Sequence, residues 1–172
     1  MGGELLTDEL VEEISGIEIA RDILEISVLE RHHYSGNIGL GFVKGFGLKT
    51  GAVASTIAHD SHNIVVIGTN EEDMALACNR LKAIGGGIVL CNGNEVTSEL
   101  ELPIAGLMSD KELDYVIIKQ KELGDNISVM GCKLPAPFIA MSFLALPVIP
   151  KLKITDKGLV DVEKRKIVSV FL

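Results

Sequence analysis

Apolar positions along the chain fall into runs of two different periods, separated by clusters of glycine and polar residues. Residues 4–22 place Leu5, Leu6, Leu10, Val11, Ile14 and Ile17 at intervals that suit a short amphipathic helix with its Asp and Glu facing water. From Ile23 to Glu30 the pattern changes, and its second half alternates at period two, which predicts a strand. Gly36, Gly39, Gly41, Gly45, Gly47 and Gly51, interleaved with Ile38, Leu40, Phe42 and Val43, predict short strands joined by tight turns. The unbroken run Ile64-Val65-Val66-Ile67 before Gly68 predicts a strand buried on both faces.

Helices are signalled next. Thr69 and Glu72 stand at capping-box spacing ahead of Met74, Ala77, Cys78, Leu81 and Ile84, which recur at helical intervals until Gly85-Gly86-Gly87 ends the element. Ile88 to Leu100 predicts a hairpin turning at Asn92-Gly93, a pair that tolerates positive φ. Ser109 and Glu112 form a second capping-box pattern, predicting a helix to about Leu123-Gly124. Met141 to Leu146 predicts a buried helical turn, and residues 154–171 a turn with one or two closing strands. Hairpins combined with helices that cross between strands predict a single α/β domain, with mixed α+β as the variant, in which a layered mixed β-sheet carries packed helices. The expected division is an acidic helical leader over 1–22 and a globular domain over 23–172.

Composition narrows the partners. With 172 residues, 47% of them hydrophobic, and 18 glycines, the chain has enough apolar surface to fold around one core. Aromatic residues make up only 4% and Trp is absent, so the core is aliphatic and stacking platforms for bases are few. A net charge of -8 opposes a phosphate-backbone partner, which needs a basic face, so no nucleic acid is expected. Cys78, Cys91 and Cys132 are an odd number without C-x-x-C spacing, which fits a reducing cytoplasm. No segment reaches the ~18 unbroken apolar residues of a membrane span.

Against this apolar background, His59-Asp60-Ser61-His62-Asn63 is anomalous, because it lies between Gly51 to Ile57 and the run 64–68. Polar side chains in such a setting satisfy one another or meet a ligand, since burial without partners costs several kcal/mol. His59 and His62 could share a metal as an H-x-x-H pair with Asp60 as third ligand or as support to an imidazole. A plain polar turn, with Asp60 and Asn63 capping backbone groups, is equally open. Ser61 lacks the G-x-S-x-G elbow of a nucleophile, and the H-x-E of a cytidine-deaminase zinc site is missing because Ser61 occupies the Glu position. Arg31 and His32, at the end of the first predicted strand, could offer an anion contact or a proton. Leu102 to Asp110 could face a ligand or serve as an ordinary connection.

Taken as a set, Arg31-His32, Gly41 to Gly47, Gly51-Ala52 through Asn63, Leu102 to Asp110 and Ser142 to Pro150 resemble the C-terminal domain of adenine deaminase. The resemblance runs from about residue 29 to 162, and Thr155 to Leu159 is similar to that domain's closing segment. It implies hydrolytic deamination of adenine to hypoxanthine and ammonia, performed in the family by an amidohydrolase barrel with a two-metal centre of manganese or iron. No H-x-H pair occurs here, and four histidines in 172 residues do not supply such a barrel's ligands, so no cofactor is expected on this chain. The expectation is an accessory domain, inactive alone, that partners the barrel and associates as a homo-oligomer. Adenine or a related purine is the implied ligand. His59, Asp60, Ser61, His62, Asn63, Arg31 and His32 are then candidates for lining the substrate site. The alternatives are a purine-binding module without turnover and a small metal-dependent hydrolase using His59, Asp60 and His62.

Overall fold

A computed structural model describes residues 6–171 of the chain. Six strands form the main sheet: β1 (Ile23–Leu29), β2 (Ile38–Lys44), β3 (Ala52–Ser55), β4 (Ile64–Gly68), β5 (Gly87–Asn92) and β6 (Glu95–Glu101), in the order β2-β1-β4-β3-β5-β6. A second sheet contains β7 (Leu152–Thr155), β8 (Gly158–Asp161) and β9 (Lys166–Val168). The helices are α1 (Glu71–Ile84), α2 (Leu113–Val129) and α3 (Pro137–Leu144).

The layered α/β arrangement in one domain is present, and every strand pairing is antiparallel rather than mixed. The reason lies in the α1 crossover. It joins β4 to β5, which run in the same direction, but β3 is inserted between them and pairs antiparallel with both. A crossover that would otherwise create a parallel ladder therefore leaves none.

The two faces of the main sheet carry separate cores. On one, Ala54, Val66 and Val89 pack against Met74, Ala77 and Leu81 of α1. On the other, Leu24, Ile26, Val53, Ile67 and Leu90 meet Leu123 and Ile127 of α2, Met141 of α3 and Ile154 of β7. β4 is buried along its whole length, as its apolar run predicts. The glycines of β2 have a packing role: a side chain at Gly39 would collide with the Thr155 carbonyl, so the second sheet closes onto β2 only because that position is bare.

Several boundaries depart from the sequence pattern. Residues 6–17 form no helix, and a 3₁₀ turn at Ile19–Arg21 is the first element; residues 1–5 of the expected leader helix lie outside the described residues. The backbone of Thr7 is paired instead with Pro150 and Lys151, an arrangement an α-helix would forbid. The cap of α1 is Asn70, whose Oδ1 accepts from the Asp73 amide, because the Thr69 hydroxyl donates to the Gly51 carbonyl. The hairpin turns one residue later than Asn92-Gly93, with positive φ at Gly93 and Asn94, and the Asp73 carboxylate accepts from both of their amides. α2 begins at Leu113, since Ser109 Oγ accepts from the nearby Lys111 amide and caps no helix. It runs through Gly124, whose modest helical cost, about 1 kcal/mol, is outweighed by burial of Leu123 and Ile127. No helix among the described residues is long and apolar enough to cross a membrane.

Candidate functional site

Connections at one end of the main sheet, joined by a turn of the second sheet, converge on the polar cluster. The β1–β2 loop, the β3–β4 turn, the 103–108 turn after β6 and the β7–β8 turn all meet there. Arg31, placed where β1 ends, links two of them. Its Nε donates to the His62 carbonyl at 2.6 Å and its Nη2 to the Ala105 carbonyl at 2.7 Å. Gly106 has φ +75 and lies flat against the guanidinium, where a Cβ would stand 2.7 Å from Nη2. That is the physical reason for glycine at this position.

Thr56 anchors the same turn from below. Its buried hydroxyl donates to the Gly106 carbonyl and accepts from the Gly87 amide at 2.8 Å. Glu30 shapes the neighbouring loop by accepting from the amides of His32, His33 and Ser35 and from the Ser35 hydroxyl. Burial would raise its pKa, but the Ser35, His33 and His32 amides and the Ser35 hydroxyl outweigh it and hold the carboxyl down to about 2.

The histidines take different parts. The His62 amide donates to the Ala58 carbonyl, closing the turn, while the Ala58 amide donates to His62 Nδ1 at 3.3 Å. This assigns the lone pair to Nδ1 and the proton of the neutral ring to Nε2. Burial, then His59 and the Arg31 charge, hold the His62 imidazole below the ordinary histidine value, with Asp60 pulling the other way. His59 makes no hydrogen bond among the described residues. Its ring stands 5.1 Å from Phe143 at 37° and 5.6 Å from His62, edge to face. These three rings make a half-exposed aromatic shelf beside the turn that Arg31 holds.

Six of the seven residues singled out by sequence are tied to this cluster by hydrogen bonds or ring contacts. His32 Nε2 is 2.7 Å from the Ser61 carbonyl, and Ser61 Oγ accepts from the Asn63 amide. Asn63, only 3% exposed, has a committed side chain: Oδ1 accepts from the Arg31 amide and Nδ2 donates to Asp156. It is a strut. Asp60 is exposed and makes no hydrogen bond to the others, acting on His62 through its charge alone. Sequence reasoning missed Thr56, Glu30 and Phe143 as members of the cluster. Glu30 could have been flagged as an acid directly before Arg31-His32-His33, whereas nothing local marks Phe143.

Among the described residues, no group of three His, Cys, Asp or Glu is placed to hold a metal ion. His59 and His62 face each other edge-on without a third ligand, so the residues present do not fit a two-metal centre. The arrangement suits planar stacking and hydrogen bonding, with the Nε2–H of neutral His62 as donor.

The family model described as "Adenine deaminase C-terminal domain" matches residues 4–166. An adenine deaminase of Archaeoglobus fulgidus is 49% identical over 168 residues, covering 98% of this chain and 30% of the relative. One from Dehalococcoides mccartyi is 53% identical over 147 residues, covering 86% of this chain and 26% of the relative. Another, from Sinorhizobium fredii, is 53% identical over 150 residues, covering 87% and 26%. The chain thus spans under a third of the length of these relatives.

Proposed function

The chain belongs to the adenine deaminase C-terminal domain family, and we propose that it is the accessory part of an adenine deaminase, furnishing one wall of the adenine site. Metal chemistry and water activation reside on another part of the enzyme, because the donor set among the described residues does not fit a metal centre. The observation that carries this reading is the shelf of His59, His62 and Phe143, with the His62 backbone held by Arg31.

A purine is flat and carries alternating donors and acceptors. The tilted His59 and Phe143 rings offer it a face to stack on, and the His62 Nε2–H offers a donor to a ring nitrogen. Holding His62 neutral keeps that donor without adding a positive charge beside the base. Arg31 fixes the turn bearing His62 relative to the 103–108 turn, so the spacing of the shelf is set by the fold rather than by the ligand. Arg31 and Asn63 are positioning residues, while His59, His62 and Asp60 face the ligand. The three cysteines, all free and buried, support the cytoplasm as the compartment.

The test compares two proteins supplied with manganese or iron. One is the 172-residue chain alone. The other is a chimera of the Archaeoglobus fulgidus enzyme in which this chain replaces the matching C-terminal part. The chain alone is expected to leave adenine unchanged and the chimera to convert it to hypoxanthine. Steady turnover by the chain alone would overturn the accessory reading.

A further inference from the structure

We infer that the cleft between the first half of α2 and the 103–109 turn is the seat on which this domain docks against the remainder of a full-length adenine deaminase chain. The cleft has a volume of about 410 Å³. Its floor is Ile57, Ile88, Leu100 and Leu102, of which the last three are core residues no more than 5% exposed. Met108 and Leu113 wall it and are 58% and 73% exposed.

α2 explains why the cleft stands open. Its second half is fastened to the sheet through Leu123 and Ile127, both buried. Of the apolar residues in its first half only Val116 turns partly inward, while Leu113 and Ile117, one helical turn apart on a common side, stay in water. A solvated helix surface normally carries polar residues there, and an exposed apolar patch with a polar rim marks an interaction site. The rim is present: Lys111 pairs with Asp110 at 3.1 Å at the mouth of the cleft.

Two observations choose the occupant. The relatives extend over more than twice the length this chain matches, so most of an adenine deaminase lies outside the domain. The cleft is also continuous with the candidate site, because the turn that walls it is the one held by Arg31 at Ala105 and by Thr56 at Gly106. Ile57 lies on the cleft floor and His59 two residues further on lies on the shelf. A surface sharing a wall with a substrate site that other residues complete is the seam between the two parts. The occupant is therefore an apolar element of the same longer chain, one that extends this core. The inference rests on the accessory reading above.

The experiment reads solvent access rather than activity, so the two proposals fail separately. Leu113→Cys, on the wall of the cleft, is introduced into the 172-residue chain and into the chimera, with Lys82→Cys on α1 as reference, and maleimide labelling rates are measured. The native cysteines are buried and do not compete. Labelling at position 113 should be about tenfold slower in the chimera than in the chain alone, with position 82 unchanged, as expected for the core of an interface. The same cysteine at the aligned position of the natural Archaeoglobus fulgidus enzyme repeats the reading without a chimera and should be equally protected. Equal rates at 113 in full-length and isolated chains would overturn the inference. So would protection in the isolated chain that grows with its concentration, which would assign the cleft to a second copy. Protection at 113 with no effect of His59 or His62 substitutions on adenine turnover would leave the docking seat standing and remove the shelf's role.

Discussion

Thr56→Val is the sharpest perturbation of the frame beneath the shelf, because it deletes one hydroxyl and keeps the shape. Thr56 is 1% exposed, and its hydroxyl serves two buried backbone groups, the Gly106 carbonyl and the Gly87 amide. Each buried group left without a partner costs about 1–3 kcal/mol, which is partly offset because the desolvated hydroxyl is itself removed, so the net loss is about 2–4 kcal/mol. In a domain of this size that lowers Tm by roughly 5–15 °C. Thr56→Ser keeps both hydrogen bonds and loses one methyl, about 1 kcal/mol. Urea unfolding followed by far-UV circular dichroism suits a chain with no Trp and two Tyr. If Thr56→Val proves no less stable than Thr56→Ser, the hydroxyl does not anchor the 103–108 turn and the account of the frame fails.

Gly106→Ala should cost about 1–3 kcal/mol through its positive φ and its approach to Arg31, and less in an Arg31→Ala background, where the guanidinium is gone; equal costs in both backgrounds would refute the contact. Glu30 has a folded pKa below its unfolded one, so its contribution is full above the ordinary carboxylate value and is lost as pH falls toward about 2. The stability gap between the native chain and Glu30→Gln should accordingly narrow on acidification across that window, and a gap independent of pH would contradict it.

Much of this architecture can be read from the sequence because burial imposes a period on it. The run 64–67 gave a fully buried strand, and Met74, Ala77 and Leu81 gave α1, since each feature is set by what a single element must bury. Strand direction was not legible: that β3 lies between β4 and β5 depends on pairings across the sheet. Cap positions slipped where a side chain had a competing partner, as Thr69 has in Gly51 and Ser109 in Lys111. The same limit held at the site. Arg31 and His62 stood out as polar residues among apolar ones, but their contact, thirty-one positions apart, exists only once β1 and β4 are paired. Asn63 looked like a ligand contact and is a buried strut, because its amide is taken up by Arg31 and Asp156.

The most direct test of the central claim is the kinetics of adenine deamination by the chimera carrying His62→Ala, His59→Ala or neither. If the shelf forms a wall of the adenine site, each substitution lowers kcat/KM about tenfold or more, equivalent to about 1.4 kcal/mol, while far-UV dichroism and metal content stay unchanged. Unchanged kcat/KM in both variants would show that adenine does not meet these rings.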